Sequence, residues 1–333
     1  MASIKDVAKA CGFSVTTVSR ALNGYDDVNE QTKERIREAA KKLQYTPNIH
    51  AKNLVMQKSN RIGFVVFDFG RAAGEDNFVY ELMIGMQKQC LEIGYDLVFL
   101  FGSLQSSVNS DVVALMRQYD LCGLIIMGCG KDSKTYTDLL TIQKPVALID
   151  GDVYTDYVGG VSVDNYQAAL EAVQYLLETK KRKNILLING KPDSVASRER
   201  LRGYADAVGA DFSESNVFYG DYNDVKSEEI IRDIIVKRGC FPYDAVFTTS
   251  DMMAVGAERA LLSHGIAVGR DVDIIGFDNI PLSAYIRVPL TTVEQDKNKL
   301  GSESVKMLVS ILNKTSPERK VTVKHRLVVR DSA

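Results

Sequence analysis

Two patterns of apolar and polar positions divide this 333-residue chain. Up to residue 45, apolar residues recur every three or four positions in three short runs, which predicts three amphipathic helices. From Arg61 onward, continuous apolar runs such as IGFVVFDF, GLIIMG and NILLING alternate with amphipathic stretches. That alternation predicts an α/β fold with parallel sheets covered by helices on both faces.

The first two predicted helices are short and are joined by a tight turn. Ser3 can cap the first helix, and Asp6 stands three residues on, where it completes a capping box. Gly12 can adopt the left-handed conformation that ends a helix, Ser14 can cap the next one, and Gly24 can close it. This is the form of a helix-turn-helix, although two solvated helices of an unrelated small bundle would show the same pattern.

The second helix, predicted from about Val15 to Asn23, suggests what the unit binds. Its outward positions carry a short apolar residue, hydroxyls and one arginine, and no carboxylate; they are Val15, Thr16, Thr17, Ser19 and Arg20. Side chains near the start of a recognition helix reach base edges, and hydroxyls hold phosphates. Arg20 is the candidate for bidentate pairing with a guanine.

A third helix and a short linker element follow. Asn29 can cap a helix from about Glu30 to Gln44, whose apolar stripe would close the small core of the first two helices. Pro47 then precedes the short element NIHAKNLV, residues 48–55. An isolated helix of this length is not stable in water, so the segment is either a plain linker or a helix that forms only on a partner.

The stretch IKDVAKACGFSVTTVSRALNG, followed by VNEQTKERIREAAKKLQYTPN, resembles the headpiece of the lac repressor/gal repressor family of bacterial transcription regulators. The resemblance implies that the linker element is a hinge helix, in which Leu54 is a wedge for the minor groove of DNA. Lys52 stands where many members carry arginine, so the charge remains but bidentate pairing is lost. The DNA-binding residues that the resemblance implies are Ser14, Val15, Thr16, Thr17, Ser19, Arg20, Asn23, Asn48, Ala51, Lys52 and Leu54.

The resemblance extends over nearly the whole chain and implies three parts: a headpiece (1–46), a hinge and linker (47–60) and a core (61–333). The core is expected to be a two-lobed, periplasmic-binding-protein-like unit. We expect a first lobe of about 61–160 and 291–320, and a second of about 161–290 and 321–333. Ligands of such sheets bind beyond the carboxyl ends of the strands, which here means the cleft between the lobes.

The resemblance also implies the residues that bind an effector in this cleft. Carboxylates and an arginine can hold vicinal hydroxyls, and aromatic faces can cover a sugar ring; alternatively, the acids merely cap strand ends. Ser250 stands where the family usually has asparagine, and the loop FDFGRAAGEDNFVYEL is longer than usual, which suits either a larger or charged ligand or an ordinary surface loop. The predicted effector residues are Phe69, Phe78, Asp150, Arg200, Tyr222, Ser250, Asp278 and Gln295.

Composition and the remaining motifs favour a binding protein over an enzyme. The net charge of −2 is unevenly distributed: residues 1–58 hold ten Lys and Arg against six Asp and Glu, a basic end that suits nucleic acid. Gly128-Cys129-Gly130 follows a strand, but no third glycine completes a dinucleotide fingerprint. We predict no catalytic residue, metal or cofactor. The five cysteines indicate reduced, mostly core positions of a cytoplasmic protein, and neither a secretory signal nor a membrane span is expected.

The sequence therefore predicts a homodimeric, ligand-responsive regulator that binds a near-palindromic operator. Its expected role is repression of a carbohydrate-utilisation operon, and its expected effector is a sugar or sugar phosphate. Alternatives with the same fold are a protein corepressor or a nucleobase effector. An alternative from another class is a cytoplasmic sugar-binding module without a role in gene control, which would leave the basic headpiece unexplained.

Overall fold

A computed structural model describes residues 2–22, 25–45, 59–67, 77–100 and 111–333. The chain divides into two compact units, Met1–Asn60 and Arg61–Ala333. Of the predicted site residues, six lie outside the described ranges: Asn23, Asn48, Ala51, Lys52, Leu54 and Phe69.

The N-terminal unit contains helices α1 (Ile4–Cys11), α2 (Val15–Leu22) and α3 (Glu30–Lys42). The predicted capping box is confirmed, because Ser3 Oγ accepts from the Asp6 amide and Asp6 Oδ2 accepts from the Ser3 amide at 2.8 Å. Gly12 ends α1 with φ 73°. The three helices meet at a small apolar core in which Val7, Val18 and Ile36 are fully buried.

The core unit alternates strands and helices, as the apolar runs predict. Its strands are β1 (Arg61–Val66), β2 (Asp96–Leu100), β3 (Gly123–Met127), β4 (Val146–Ile149), β5 (Val158–Val163), β6 (Ile185–Asn189), β7 (Val217–Tyr219), β8 (Ala245–Thr248), β9 (Asp273–Asp278), β10 (Thr291–Gln295), β11 (Lys320–Val323) and β12 (His325–Val328).

Eight α-helices of the described part of the core cover these strands. They are α4 (Phe78–Ile93), α5 (Val112–Gln118), α6 (Lys134–Leu139), α7 (Asn165–Gln174), α8 (Val195–Val208), α9 (Asp224–Arg238), α10 (Asp251–Ser263) and α11 (Lys297–Asn313). A π-helical turn, Tyr175–Thr179, extends α7, and 3-10 turns lie at Gly209–Asp211, Glu214–Asn216 and Pro281–Ala284.

The strands form two six-stranded sheets, one for each lobe. The first has the order β11-β5-β4-β3-β1-β2 and is wholly parallel. The second has the order β12-β10-β9-β8-β6-β7 and is parallel except for β12, which runs antiparallel to β10. The chain crosses between lobes three times: after β5, between β10 and α11, and between β11 and β12.

The predicted lobe bounds were wrong at these crossings. Thr291–Gln295 was expected in the first lobe but pairs with β9 of the second sheet, whereas Lys320–Val323 pairs with β5 of the first. The end of β5, which was expected in the second lobe, also belongs to the first sheet. The cause is that the chain crosses only at strand ends, so no strand is divided between two sheets.

The strand β5 was not among the predicted strands, because two glycines interrupt its apolar run. Gly159 has a packing reason: a Cβ there would lie 2.5 Å from Met307 Sδ, so a side chain would force the Met307 side chain of α11 to move. The cysteine prediction also needs correction, because only Cys90 is buried and Cys240 is exposed, although all five are free. Among the described helices, none has the length and hydropathy of a transmembrane span.

Candidate functional site

The helix α2 presents its predicted DNA-binding side chains on the surface of the N-terminal unit. Ser14 caps the helix, since its Oγ accepts from the Thr17 amide at 3.0 Å and lies 2.8 Å from the Thr17 hydroxyl. Val15 is 40% exposed and Thr16 is exposed, whereas Ser19 is half-buried. The exposed start of α2 is the part that a recognition helix uses for base contacts.

Arg20 is oriented by two neighbours that lie between α2 and α3. Its Nη2 pairs with Asp27 at 2.5 Å, and its guanidinium lies 4.9 Å from the centre of the Tyr25 ring. Both partners of the ion pair are about half exposed, so the pair contributes at most about 1 kcal/mol. Arg20 can therefore exchange Asp27 for a base edge at little cost.

In the core unit, a cleft of about 500 Å³ lies between the lobes. It is bordered by the carboxyl ends of strands from both sheets and by the loops that follow them. The structure brings seven predicted effector residues together in its lining, namely Phe78, Asp150, Arg200, Tyr222, Ser250, Asp278 and Gln295. The volume is within the range of about 300–1,000 Å³ that is typical of small-molecule sites.

A largely buried polar chain, Asp150–Asn165–Arg200, crosses the floor of the cleft at the first lobe crossing. Asn165 donates to Asp150 Oδ1 at 3.0 Å and accepts from Arg200 Nε at 2.9 Å. Arg200 Nη1 donates to the Thr249 carbonyl at 2.6 Å, and the guanidinium lies 3.6 Å from the centre of the Phe277 ring. Because Arg200 is only 3% exposed, these contacts fix its orientation before any ligand binds.

Burial raises the pKa of Asp150 above its ordinary value, and the nearby charge of Arg200 opposes that rise. The backbone of Asp150 is in the left-handed conformation, with φ 54°. A non-glycine residue in that region is unusual and is often found at a functional site.

A second polar cluster lies at the crossing between β10 and α11. Gln295 Nε2 donates to Asp278 Oδ1 at 2.7 Å, and Lys297 Nζ donates to the Asp278 carbonyl at 2.7 Å. Lys297 also pairs with Glu81 of α4 at 3.5 Å, so it joins the two lobes. Asp278 and Asn279 both have positive φ values, 113° and 49°, and the lysine stabilises this strained turn.

Gln295 lines the cleft and has a buried side-chain acceptor that is unsatisfied. Its side chain is 1% exposed, and Oε1 has no hydrogen-bond partner among the described residues. Leaving a buried acceptor without a partner costs about 1–3 kcal/mol. A hydrogen-bond donor that reaches Oε1 when a ligand binds would remove that cost.

Tyr222 also lines the cleft, where it is held through its hydroxyl. Its Oη lies 2.6 Å from Ser197 Oγ and 3.2 Å from Ser194 Oγ. A Cβ at Gly190 would lie 2.1 Å from the Tyr222 ring, so the ring packs directly on this glycine. Ser250 caps α10 by accepting from the Met253 amide at 3.3 Å, which orients its hydroxyl beside the cleft.

Sequence reasoning missed several residues that build this site. Asn165 holds Arg200, Ser197 holds Tyr222, and Phe67 lines the cleft although it was not predicted. Ser197 lies within the motif SVASRERLRGY, so its proximity to Arg200 was a usable signal. No local pattern marks Asn165, whose role depends on contacts that are 15 and 35 residues apart in sequence.

Both units of the chain match known protein families. A sequence model of the family "Bacterial regulatory proteins, lacI family" matches residues 3–48, and one of the "Periplasmic binding protein-like domain" matches residues 173–333. The HTH-type transcriptional regulator RegA of Clostridium acetobutylicum is 33% identical over 338 residues, which cover 99% of either chain. The chain belongs to the lacI family of bacterial regulatory proteins.

Further relatives match this chain over nearly its full length. The HTH-type transcriptional regulator MalR of Clostridium butyricum is 30% identical and covers 98% of its own chain and 99% of this one. The solved structure of a transcriptional regulator CelR–cellobiose complex matches all of both chains with 26% identity and a TM-score of 0.72. The lac repressor dimer bound to operator has the same fold, with 24% identity and a TM-score of 0.81.

This lacI-family protein is therefore a ligand-responsive, DNA-binding transcription regulator. Its relatives are regulators and not enzymes. Within the described ranges, no group of His, Cys, Asp and Glu side chains is placed to hold a metal ion.

Proposed function

We propose that the protein represses a carbohydrate-utilisation operon in the bacterial cytoplasm. A homodimer binds a near-palindromic operator, and an uncharged sugar in the interlobe cleft is the effector. The effector changes the preferred closure of the lobes, and closure changes operator affinity. Among the relatives, CelR has been solved with cellobiose, and the lac repressor has been solved as a dimer on its operator.

The observation that carries the sugar assignment is the unsatisfied Gln295 Oε1 beside the carboxylate of Asp278. These acceptors favour a ligand that offers several hydroxyl donors, and the buried Arg200 supplies donors on the other side of the floor. The apolar side chain of Phe78 gives one face of a sugar ring a surface to pack on. Asp150, Tyr222 and Ser250 complete the proposed set of effector contacts.

The charge of the described lining favours a free sugar over a sugar phosphate. Four carboxylates, those of Asp150, Asp193, Asp221 and Asp278, face two cations, Lys191 and Arg200. A phosphate would add up to two negative charges to a lining in which acids already outnumber bases. A nucleobase, the alternative small-molecule effector, would leave most of these acceptors without a donor.

On the DNA side, α2 supplies the base contacts through Val15, Thr16 and Arg20, while Ser14, Thr17 and Ser19 contact phosphates. The proposal also includes the hinge residues Asn48, Ala51, Lys52 and Leu54, with Asn23 beside them, although they lie outside the described residues. Leu54 would wedge into the central minor groove.

A thermal-shift screen of the full-length protein tests the effector proposal. The panel pairs free sugars with their phosphates and includes nucleobases: glucose and glucose 6-phosphate, cellobiose, maltose, lactose, ribose and hypoxanthine. We expect a free sugar to raise the melting temperature by several degrees at saturating concentration. Stabilisation by a phosphate or a nucleobase alone, or by no sugar in the panel, would contradict the proposal.

A further inference from the structure

Two loops from different lobes meet across the mouth of the cleft. The loop after β3 belongs to the first lobe and contains Gly130 and Lys131, and the loop after β6 belongs to the second and contains Asp193. The Lys131 amide donates to the Asp193 carbonyl at 3.0 Å. This hydrogen bond lies away from the three chain crossings, so it forms only when the lobes are close together.

At Gly130 the Asp193 side chain occupies the space that a side chain at position 130 would need. A Cβ at this position would lie 1.9 Å from Asp193 Oδ2 and 2.7 Å from Asp193 Cγ. Gly130 is not among the residues with positive φ, unlike Gly128 two positions earlier. Its backbone conformation therefore does not require glycine. The reason for a glycine here is the lack of space beside Asp193.

The Gly130 loop is held firmly from its own lobe. Lys131 Nζ pairs with Asp152 at 2.5 Å, and Asp152 Oδ1 accepts from the Tyr136 hydroxyl at 2.8 Å. Ser133 Oγ donates to the Gly130 carbonyl at 2.7 Å. Room for a side chain at position 130 must therefore come from the other side of the contact, by rotation of the Asp193 side chain or by movement of its loop.

We propose that Gly130 is a positioning residue for lobe closure. Its lack of a side chain lets the Asp193 loop reach the Lys131 amide, and the resulting hydrogen bond holds the cleft mouth shut. A side chain at position 130 keeps the lobes apart at this edge, although Gly130 is not part of the Asp150–Asn165–Arg200 chain on the floor of the cleft. The consequence for ligand retention rests on the proposed function, whereas the closure contact itself does not.

A cycle of variants in the full-length chain tests the contact without a ligand. Amide hydrogen exchange at Lys131, measured by mass spectrometry with residue-level fragmentation, reports the hydrogen bond directly. We expect exchange at Lys131 to be about tenfold faster in Gly130→Ala than in the wild type. Asp193→Ala keeps its backbone carbonyl, so it should match the wild type, and the double variant should regain protection because the clash is gone.

The matched control is Asp132→Ala, an exposed position in the same loop, which should leave exchange at Lys131 unchanged. Exchange in the buried strand β1 verifies that each variant is folded. Wild-type protection in Gly130→Ala, or no recovery in the double variant, would overturn the proposal. Failure of every sugar in the thermal-shift screen would instead contradict the effector assignment and leave this contact standing.

Discussion

The two lobes share one strand order but contribute different chemistry to the cleft. From the first lobe the lining is mainly apolar and includes Val66, Phe67, Phe78, Val79 and Met127. From the second lobe it is mainly polar and includes Asp193, Ser194, Arg200, Asp221, Asn223 and Asp278. A repeated fold has therefore been specialised, with one half suited to cover a ring and the other suited to bond its hydroxyls.

This division shows why closure matters for specificity. The lining comes from both lobes, so neither lobe alone surrounds a ligand. On the floor of the cleft, Asn165 connects Asp150 of the first lobe to Arg200 of the second. A ligand that satisfies both lobes gains affinity only in the closed arrangement, so it stabilises that arrangement. The predictions below separate the contributions of the two lobes, beginning with the largest expected effect.

Removing the central cation of the second lobe should have the largest effect. Arg200→Ala deletes a buried guanidinium with two hydrogen bonds to protein, and we expect sugar affinity to fall by at least about 100-fold, since hydrogen bonds to charged groups are worth about 1.5–3 kcal/mol each. Isothermal titration calorimetry measures the loss. Arg202→Ala, an exposed arginine on the same helix, is the control and should bind normally.

The second prediction concerns a buried acid that supports the polar lobe. Asp251 accepts from the Thr292 hydroxyl at 2.5 Å and from the Ile280 amide at 2.8 Å, and burial raises its pKa from 3.8 to about 7. The charges of Lys297 and Arg330 oppose this rise.

Because the native protein binds this proton more tightly than the unfolded chain does, stability should fall as pH rises from about 4 to 7. We expect this group to lower the free energy of unfolding progressively between pH 5 and pH 7. Urea unfolding at several pH values should show a flatter profile in Asp251→Asn. An equal slope in both proteins would remove Asp251 as the cause.

The third prediction places DNA recognition outside both lobes. Arg20→Ala should weaken binding to a selected operator by about tenfold or more, because a bidentate base contact is worth about 1–3 kcal/mol. Binding to random DNA should change much less, and sugar affinity should not change. Electrophoretic titration on both DNAs gives the comparison, and equal losses on the two would refute base reading by Arg20.

The smallest effect is expected from the apolar lobe. Phe78→Leu keeps an apolar side chain but removes the ring face, so we expect sugar affinity to fall by about fivefold, in line with the modest worth of aromatic contacts. Tyr80→Leu is the matched control, because Tyr80 is 61% exposed on the same helix. A larger loss of sugar affinity in Phe78→Leu than in Arg200→Ala would contradict the proposal that the polar lobe contributes more to binding than the apolar lobe.

Much of this architecture follows from local sequence patterns. The caps at Ser3 and Asn29 and the apolar strands could be predicted because their causes lie within a few residues. The strand β5 could not be predicted in this way, because Gly159 is explained by its close packing against Met307, which is almost 150 positions away in sequence. The contact between Gly130 and Asp193 could not be predicted either, since it depends on how the two lobes approach each other.

The central claim is that ligand binding in the cleft changes operator binding. Its most direct test is fluorescence anisotropy on an operator recovered by genomic selection, with and without the sugar that most stabilises the protein. We predict that saturating sugar changes wild-type operator affinity by at least about fivefold, while Arg200→Ala binds the operator but does not respond. Wild-type affinity that is the same with and without saturating sugar would contradict the account.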